Sequence, residues 1–227
     1  MTQAENYGET GPAQSKKEGG AAAATKPAES KLWRILTDRK IVSLGLASTV
    51  FEGSMYLFVF FWAPALRAAQ TSASPATPPP LPYGLIFASF MAAMMASSLV
   101  FGGLADAGRL RYTTLLLGIL GTAAACFLVL PAAAASEQAT FWLFCLFEAA
   151  VGMYWPCVGY LKGRLIEDGV RAQVYSMLRV PLNVFVVCSL VVTGDGGAYK
   201  TVFSACAALL LASTGALWAT ILTKDAP

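Results

Sequence analysis

The stretch "FEGSMYLFVFFWAP", residues 51–64, is almost wholly apolar, yet it contains an acidic residue, Glu52. A related phrase, "FEAAVGMYWP", follows at residues 147–156 and contains Glu148. In both phrases Phe-Glu comes first, Met-Tyr follows, and Trp and Pro come last. An acid inside an apolar run is costly to bury and usually faces a partner or a water-filled cavity. The repetition therefore points to a role for both acids.

The surrounding sequence is typical of a membrane protein. Of its 227 residues, 56% are hydrophobic and 13% are charged, whereas a soluble domain has about 25% charged residues. Six apolar segments are each long enough to cross about 30 Å of hydrocarbon as a helix. We therefore predict an all-α, polytopic bundle of six transmembrane helices over residues 32–224, embedded in a lipid bilayer. The predicted spans are residues 41–66, 84–105, 113–134, 139–161, 173–193 and 199–222.

Residues 1–31 are polar and low in complexity, and they lack the apolar core of a signal peptide. They are predicted to form a disordered cytoplasmic tail. The chain contains no histidine, which excludes Ser-His and Cys-His catalysis and histidine metal sites. We expect no enzyme activity, no catalytic residues, no metal, no cofactor and no nucleic-acid partner.

The basic residues predict the orientation of the chain. Thirteen of the sixteen Lys and Arg residues lie in the N-terminal segment, the second and fourth loops and the C-terminus. Only Arg67 and Lys200 lie on the opposite side, and only Arg179 falls within a predicted span. By the positive-inside rule, both termini are expected to be cytoplasmic.

The two related phrases lie in spans that run in opposite directions. The first span runs outward and the fourth runs inward, so the phrase is repeated in inverted orientation. Glu52 and Glu148 each lie about ten residues into their spans, which places both near mid-membrane at about 1.5 Å per residue. This arrangement predicts a 3+3 inverted repeat with a site at mid-depth.

Helical spacing groups the candidate site residues into polar stripes on three spans. We expect Arg179 to attract an anion, Asn183 and tyrosine side chains to donate hydrogen bonds, and one of the two acids to exchange a proton. The alternatives are that the acids and Arg179 pair with each other or with the backbone, or that Arg179 snorkels to the cytoplasmic surface. The predicted substrate-binding residues are Glu52, Tyr56, Glu148, Trp155, Arg179 and Asn183.

Several blocks taken in order carry a family resemblance. "DRK", "FEGSMYLFVFFWAPAL", "GLIFASFMAAMM", "FEAAVGMYWPCVGYLKGR" and "LRVPLNVF" together resemble the molybdate-anion transporter family of the major facilitator superfamily. The resemblance runs from about Asp38 to about Thr223. It implies the C-terminal six of twelve helices, and molybdate uptake by alternating access. It also implies that the first and fourth spans correspond to helices seven and ten, which line the central cavity in that superfamily.

The resemblance also implies a missing part, because the N-terminal six helices of such a transporter are absent from this sequence. We expect a truncated gene model or a fragment of a split gene, or else a half-transporter that pairs with a second copy. The expected location is the plasma membrane, and protons are a candidate coupling ion. Two alternatives stay open: a transporter of another small solute, such as a sugar or organic anion, and a non-transporting six-helix membrane protein.

Overall fold

The fold consists of long helices that are apolar enough to cross a membrane. The computed structural model describes residues 37–73, 79–108, 110–133, 136–193 and 199–225. Within these ranges it has six α-helices, and all six meet the length and hydropathy expected of membrane spans. The chain is thus an all-α polytopic membrane protein, as the sequence predicts. The helices are α1 (Arg39–Ala73), α2 (Tyr83–Asp106), α3 (Tyr112–Ala133), α4 (Glu137–Leu165), α5 (Arg171–Thr193) and α6 (Tyr199–Asp225), with a short 3-10 helix at Asp168–Val170.

Two helices extend well past the apolar segments that predict them. The first segment ends at residue 66, but α1 continues to Ala73, and the fourth ends at residue 161, but α4 continues to Leu165. Hydropathy marks only the part of a helix that lies within the hydrocarbon. The helix itself can continue through polar residues beyond that layer. The predicted tail, residues 1–31, lies outside the described residues.

Helices α1 and α4 form the centre of the bundle. α1 packs against α4, α5 and α6, while α4 packs against α1, α2 and α3. Helices α3 and α6 also pack against each other. Every other helix therefore contacts at least one of the two helices that carry the related phrases.

Phenylalanine side chains fill the space between the central helices and α2. The Phe58 ring of α1 lies 5.9 Å from that of Phe90 in α2, measured between centroids. It lies 5.1 Å from Phe144 and 4.9 Å from Phe147, both in α4. All four rings are buried. Close packing of this kind holds transmembrane helices together, because lipid tails are as apolar as the side chains themselves.

Glycines allow two of the helix pairs to approach closely. A Cβ atom at Gly152 of α4 would collide with the backbone carbonyl oxygen of Met94 and the hydroxyl of Ser97, both in α2. A Cβ at Gly53 of α1 would collide with the ring of Phe185 in α5. Small residues at such positions let two backbones come together.

Candidate functional site

The two related phrases meet face to face between α1 and α4. The ring of Phe51 stacks on that of Tyr154, with centroids 4.1 Å apart. The Tyr154 hydroxyl donates a hydrogen bond of 2.9 Å to Oε1 of Glu52. Tyr154 is fully buried, so this hydroxyl needs a partner within the protein. The repeated phrase is therefore also a contact surface, in which one copy binds the acid of the other.

Glu52 has a second partner in α4. The Lys162 ammonium lies 3.3 Å from Oε1 of Glu52 and forms a salt bridge with it. The side chains of Lys162 and Glu52 are only 14% and 16% exposed. Lys162 also lies 5.7 Å from the centre of the Tyr175 ring in α5, within the range of a cation–π contact. Residues of α4 thus bind the Glu52 carboxylate directly, and α5 contacts the lysine that binds it.

The opposite directions of α1 and α4 bring this pair together. Side chains on a helix tilt toward its N-terminus. Lys162 therefore leans toward the middle of α4, and Glu52 leans toward the beginning of α1. Because the two helices are antiparallel neighbours, these tilts converge.

The carboxylate of Glu52 lies beside the C-terminal half of α4. It binds both Tyr154 and Lys162, so it lies between their levels along α4. The C-terminal end of α4 is the one at which the positive-inside rule places the cytoplasm. The mid-membrane position of Glu52 and Glu148 stays a prediction.

A cavity of about 380 Å³ lies beside the ion pair, between α1, α4 and α5. Five of the six predicted site residues line it: Glu52, Tyr56, Trp155, Arg179 and Asn183. Tyr56 and Trp155 are about half exposed, which makes this wall of the bundle open. We call this space the central cavity. Its other polar lining residues are Ser48, Thr49, Lys162 and Tyr175.

Glu148, the sixth predicted residue, does not line the central cavity. It is buried in α4, 7% exposed, one turn before Gly152 and on the same face as that glycine's contact with α2. Among the described residues it has no hydrogen-bond or salt-bridge partner. The structure thus separates the two acids that the sequence groups together.

Sequence reasoning did not single out Lys162 or Tyr154 as site residues. Lys162 falls just beyond the predicted fourth span, where a lysine indicates only a cytoplasmic loop. Its helical spacing contains the missed signal, because Lys162 follows Trp155 by seven residues and so lies on the same face of α4. Tyr154 is part of the quoted phrase, next to Trp155, but points toward α1.

The central cavity has an excess of positive charge. Its lining contains two cations, Lys162 and Arg179, and one acid, Glu52. The formal charge is therefore +1 when Glu52 is ionised and +2 when it is protonated. Arginine and lysine side chains only donate hydrogen bonds, and hydroxyls and the Asn183 amide can donate as well. Donors of this kind suit an anion with several oxygen acceptors. Within the described ranges, no group of three or more acidic, cysteine or histidine side chains could hold a metal ion.

Comparison with known proteins gives matches to transporters. A family model described as sugar transporters with twelve transmembrane segments matches residues 1–141. A molybdate-anion transporter from Danio rerio is 30% identical over 210 residues, covering 82% of this chain and 41% of the relative. No solved structure gives a significant match.

Molybdate-anion transporters from other vertebrates match with similar identity and coverage. A molybdate-anion transporter from Xenopus tropicalis is 31% identical over 186 residues, covering 78% of this chain and 39% of the relative. One from Takifugu rubripes is 28% identical over 195 residues, covering 79% and 38%. The chain spans about two fifths of the length of the curated relatives it matches.

Proposed function

The chain belongs to the molybdate-anion transporter family of the major facilitator superfamily, and from that premise we propose that it transports molybdate or a similar tetrahedral oxyanion by alternating access. The observation that carries the proposal is the central cavity. Lys162, Arg179 and Asn183 all line this cavity, on the open wall of a membrane bundle. The expected activity is transport and not enzymatic conversion.

We further propose that this chain supplies one half of the transporter, the C-terminal one. The family model is described as having twelve spans, and the described part of this chain has six. The central cavity is open on the side of Tyr56 and Trp155, where two large aromatic side chains are half exposed. Another six-helix unit, either an N-terminal half or a second copy of this chain, would complete its wall.

The neighbour pattern of the helices supports a 3+3 inverted repeat. If α1, α2 and α3 are exchanged for α4, α5 and α6, the pair α2–α4 becomes α5–α1, and α3–α4 becomes α6–α1. The pairs α1–α4 and α3–α6 map onto themselves. An arrangement of neighbours that is unchanged by this exchange is expected for two repeats related by a two-fold axis in the membrane plane.

Charge matching suggests how a dianion and a proton would bind together. A dianion such as molybdate is balanced by Lys162 and Arg179 only when Glu52 is neutral. Protonation of Glu52 raises the charge of the cavity from +1 to +2 and releases Lys162 from its salt bridge. By linkage, the anion and the proton then favour each other's binding. Glu52 is therefore the proposed proton site.

Glu148 has a different proposed role. It lies outside the lining of the central cavity and on the face of α4 that approaches α2. We assign it to the positioning of α4 and not to direct contact with the anion. Trp155, Tyr56, Arg179 and Asn183 remain proposed substrate-binding residues.

The chain is a multi-pass membrane protein. We propose that it resides in the plasma membrane with both termini in the cytoplasm, because the basic residues are concentrated on that side.

Uptake of labelled molybdate tests the function. The chain is expressed in cells joined to a six-helix N-terminal half, and its amount in the membrane is measured in parallel. We expect Lys162→Gln and Arg179→Gln each to weaken the apparent affinity about tenfold or more, the value of a charge-assisted hydrogen bond. Lys200→Gln, which removes an exposed cation outside the central cavity, is the matched control and should leave uptake unchanged. Absence of uptake above background, with normal amounts of protein in the membrane, refutes the molybdate assignment.

A sugar is the second candidate substrate, because the matching family model is described as sugar transporters. The same assay separates the two. An excess of unlabelled sulfate, another tetrahedral oxyanion, should compete with molybdate, whereas a neutral hexose should not. Saturable hexose uptake that is insensitive to Lys162→Gln would favour the sugar instead.

A further inference from the structure

A second cavity, of about 410 Å³, opens at the end of the bundle where α1 and α3 begin and α4 and α6 end. Its volume is within the range of small-molecule sites. Each of the four helices contributes polar lining, and none of the described residues that line it is acidic. We call it the terminal cavity. Its polar lining residues are Lys40, Ser43, Thr113, Arg164 and Thr220.

The terminal cavity has a mainly polar rim, with Leu165 as its apolar member, and an apolar floor. On each of the four helices that line it, a leucine lies three or four residues deeper in the bundle than a polar lining residue of the same helix. Leu44 follows Lys40 in this way, and Leu116 follows Thr113. On the helices that end here, the leucines precede their polar counterparts, at Leu161 and Leu217. Leu44, Leu116 and Leu217 are buried. The gradient resembles that of a phospholipid, whose charged phosphate is joined to an apolar chain.

The terminal and central cavities are separate. Lys162 lines the central cavity and Arg164 lines the terminal one. Residues two apart on a helix point in different directions. The last turn of α4 therefore presents Lys162 to the central cavity and Arg164 to the terminal cavity. The terminal cavity lies among α1, α3, α4 and α6, away from α5. The two cavities share no lining residue, so an occupant of the terminal cavity would not contact the lining of the central one.

The rim offers hydrogen-bond donors suited to phosphate. Arg164 donates from Nη1 to the Tyr160 hydroxyl at 3.2 Å. A guanidinium has five N–H donors in a planar fork, so others stay available for phosphate oxygens. The hydroxyls of Ser43 and Thr220 lie 3.3 Å apart and donate to the backbone carbonyls of Lys40 and Leu217. They add polar surface to the rim, whose positive charge comes from Lys40 and Arg164.

We propose that the terminal cavity binds an anionic phospholipid of the cytoplasmic leaflet, with the phosphate at Lys40 and Arg164 and the upper acyl chain on the leucine floor. This end of the bundle has the excess of basic residues, which predicts that it faces the cytoplasm. The cytoplasmic leaflet is the one that holds anionic lipids, and basic pockets between transmembrane helices on that side bind their head groups. A free phosphate ion would satisfy the rim but leave the leucine floor uncovered.

Lipid retention tests the proposal without reference to transport. The full chain is reconstituted in nanodiscs that contain equal amounts of phosphatidylserine and phosphatidylcholine, and the lipids that stay bound after extraction are counted by native mass spectrometry. We expect wild-type chain to retain phosphatidylserine in several-fold excess. The double substitution Lys40→Gln/Arg164→Gln should abolish that excess and bring the retained ratio of the two lipids to about one. The matched control, Arg67→Gln/Lys200→Gln, removes two cations from the opposite side and should retain it.

Two results would overturn the proposal. One is equal retention of the two lipids by wild-type chain, which needs no variant to fold. The other is competition by soluble glycerophosphate as strong as that by short-chain phosphatidylserine, which would identify a site for free phosphate. The conservative double variant Lys40→Arg/Arg164→Lys keeps both charges and should retain phosphatidylserine. Its failure to do so, with a native melting temperature, would also count against the proposal.

Discussion

The salt bridge between Lys162 and Glu52 allows a quantitative prediction about stability. At a separation of 3.3 Å, two unit charges attract by about 5 kcal/mol at an effective dielectric constant of 20. Desolvation of both groups offsets part of this, since each side chain is about 15% exposed. We therefore expect a net coupling free energy of about 2–3 kcal/mol, near the upper end of values for contacting residues.

The perturbation is Lys162→Met, which keeps most of the aliphatic stem but removes the charge. It leaves Glu52 largely buried with Tyr154 as its only described partner. The free energy of unfolding should fall by about 2–3 kcal/mol, or about 4–12 °C in melting temperature for a chain of this length. Unfolding of the purified chain in mixed micelles, followed by circular dichroism, measures both quantities.

A double-mutant cycle provides the control. Glu52→Gln combined with Lys162→Met should be less destabilised than the sum of the two single variants, by about the coupling free energy. Arg67→Met removes an exposed cation of α1 and should change stability by less than about 0.5 kcal/mol. Additive single effects, or a Lys162→Met chain as stable as Arg67→Met, would refute the reasoning from the salt bridge.

Two further predictions concern packing and use the same unfolding assay. Gly152→Ala places a methyl group against a backbone carbonyl of α2 that cannot move aside, so stability should fall by about 1–3 kcal/mol; Gly163→Ala in the same helix meets open space and should be neutral or slightly stabilising. Phe58→Ala empties the centre of the aromatic core and should cost about 3–5 kcal/mol, whereas Phe60→Ala, at a ring 56% exposed, should cost much less. Equal effects within either pair would contradict the packing described.

The six helices could be predicted because their signal is local. Each apolar run is continuous and long enough to cross the bilayer. Within the hydrocarbon, a single segment can satisfy its backbone hydrogen bonds only as a helix. Helix ends were less predictable. Leu165 ends α4 four residues past the predicted span, because nothing in hydropathy stops a helix at Lys162.

The lining of the central cavity was partly predictable for a similar reason. Helical spacing places Tyr56 on the face of Glu52, and Asn183 on that of Arg179, and all four line the central cavity. Spacing predicts a face but not the extent of a cavity along it. The lining contributed by α4 begins at Trp155, seven residues or about 10 Å beyond Glu148, and this distance explains why Glu148 lies outside.

The partner of Glu52 could not be predicted from local pattern. Lys162 is 110 residues away in sequence, and its proximity depends on how α1 and α4 pack. The positive-inside rule counts Lys162 as a signal of orientation. That rule uses the position of a lysine in the chain and says nothing about which side chain it contacts.

The two cations at the end of α4 also affect how substitutions in such chains should be interpreted. Topology scoring treats Lys162 and Arg164 as equivalent, since each adds one positive charge to the same side. They nevertheless line different cavities and have different neighbours. A chain that loses a cation at one of these positions and gains one elsewhere on the same side keeps its topology score. The cavity that the lost cation lined is nevertheless changed. In alignments of such chains, these two positions should therefore vary independently of each other, and neither should vary as freely as an ordinary loop lysine.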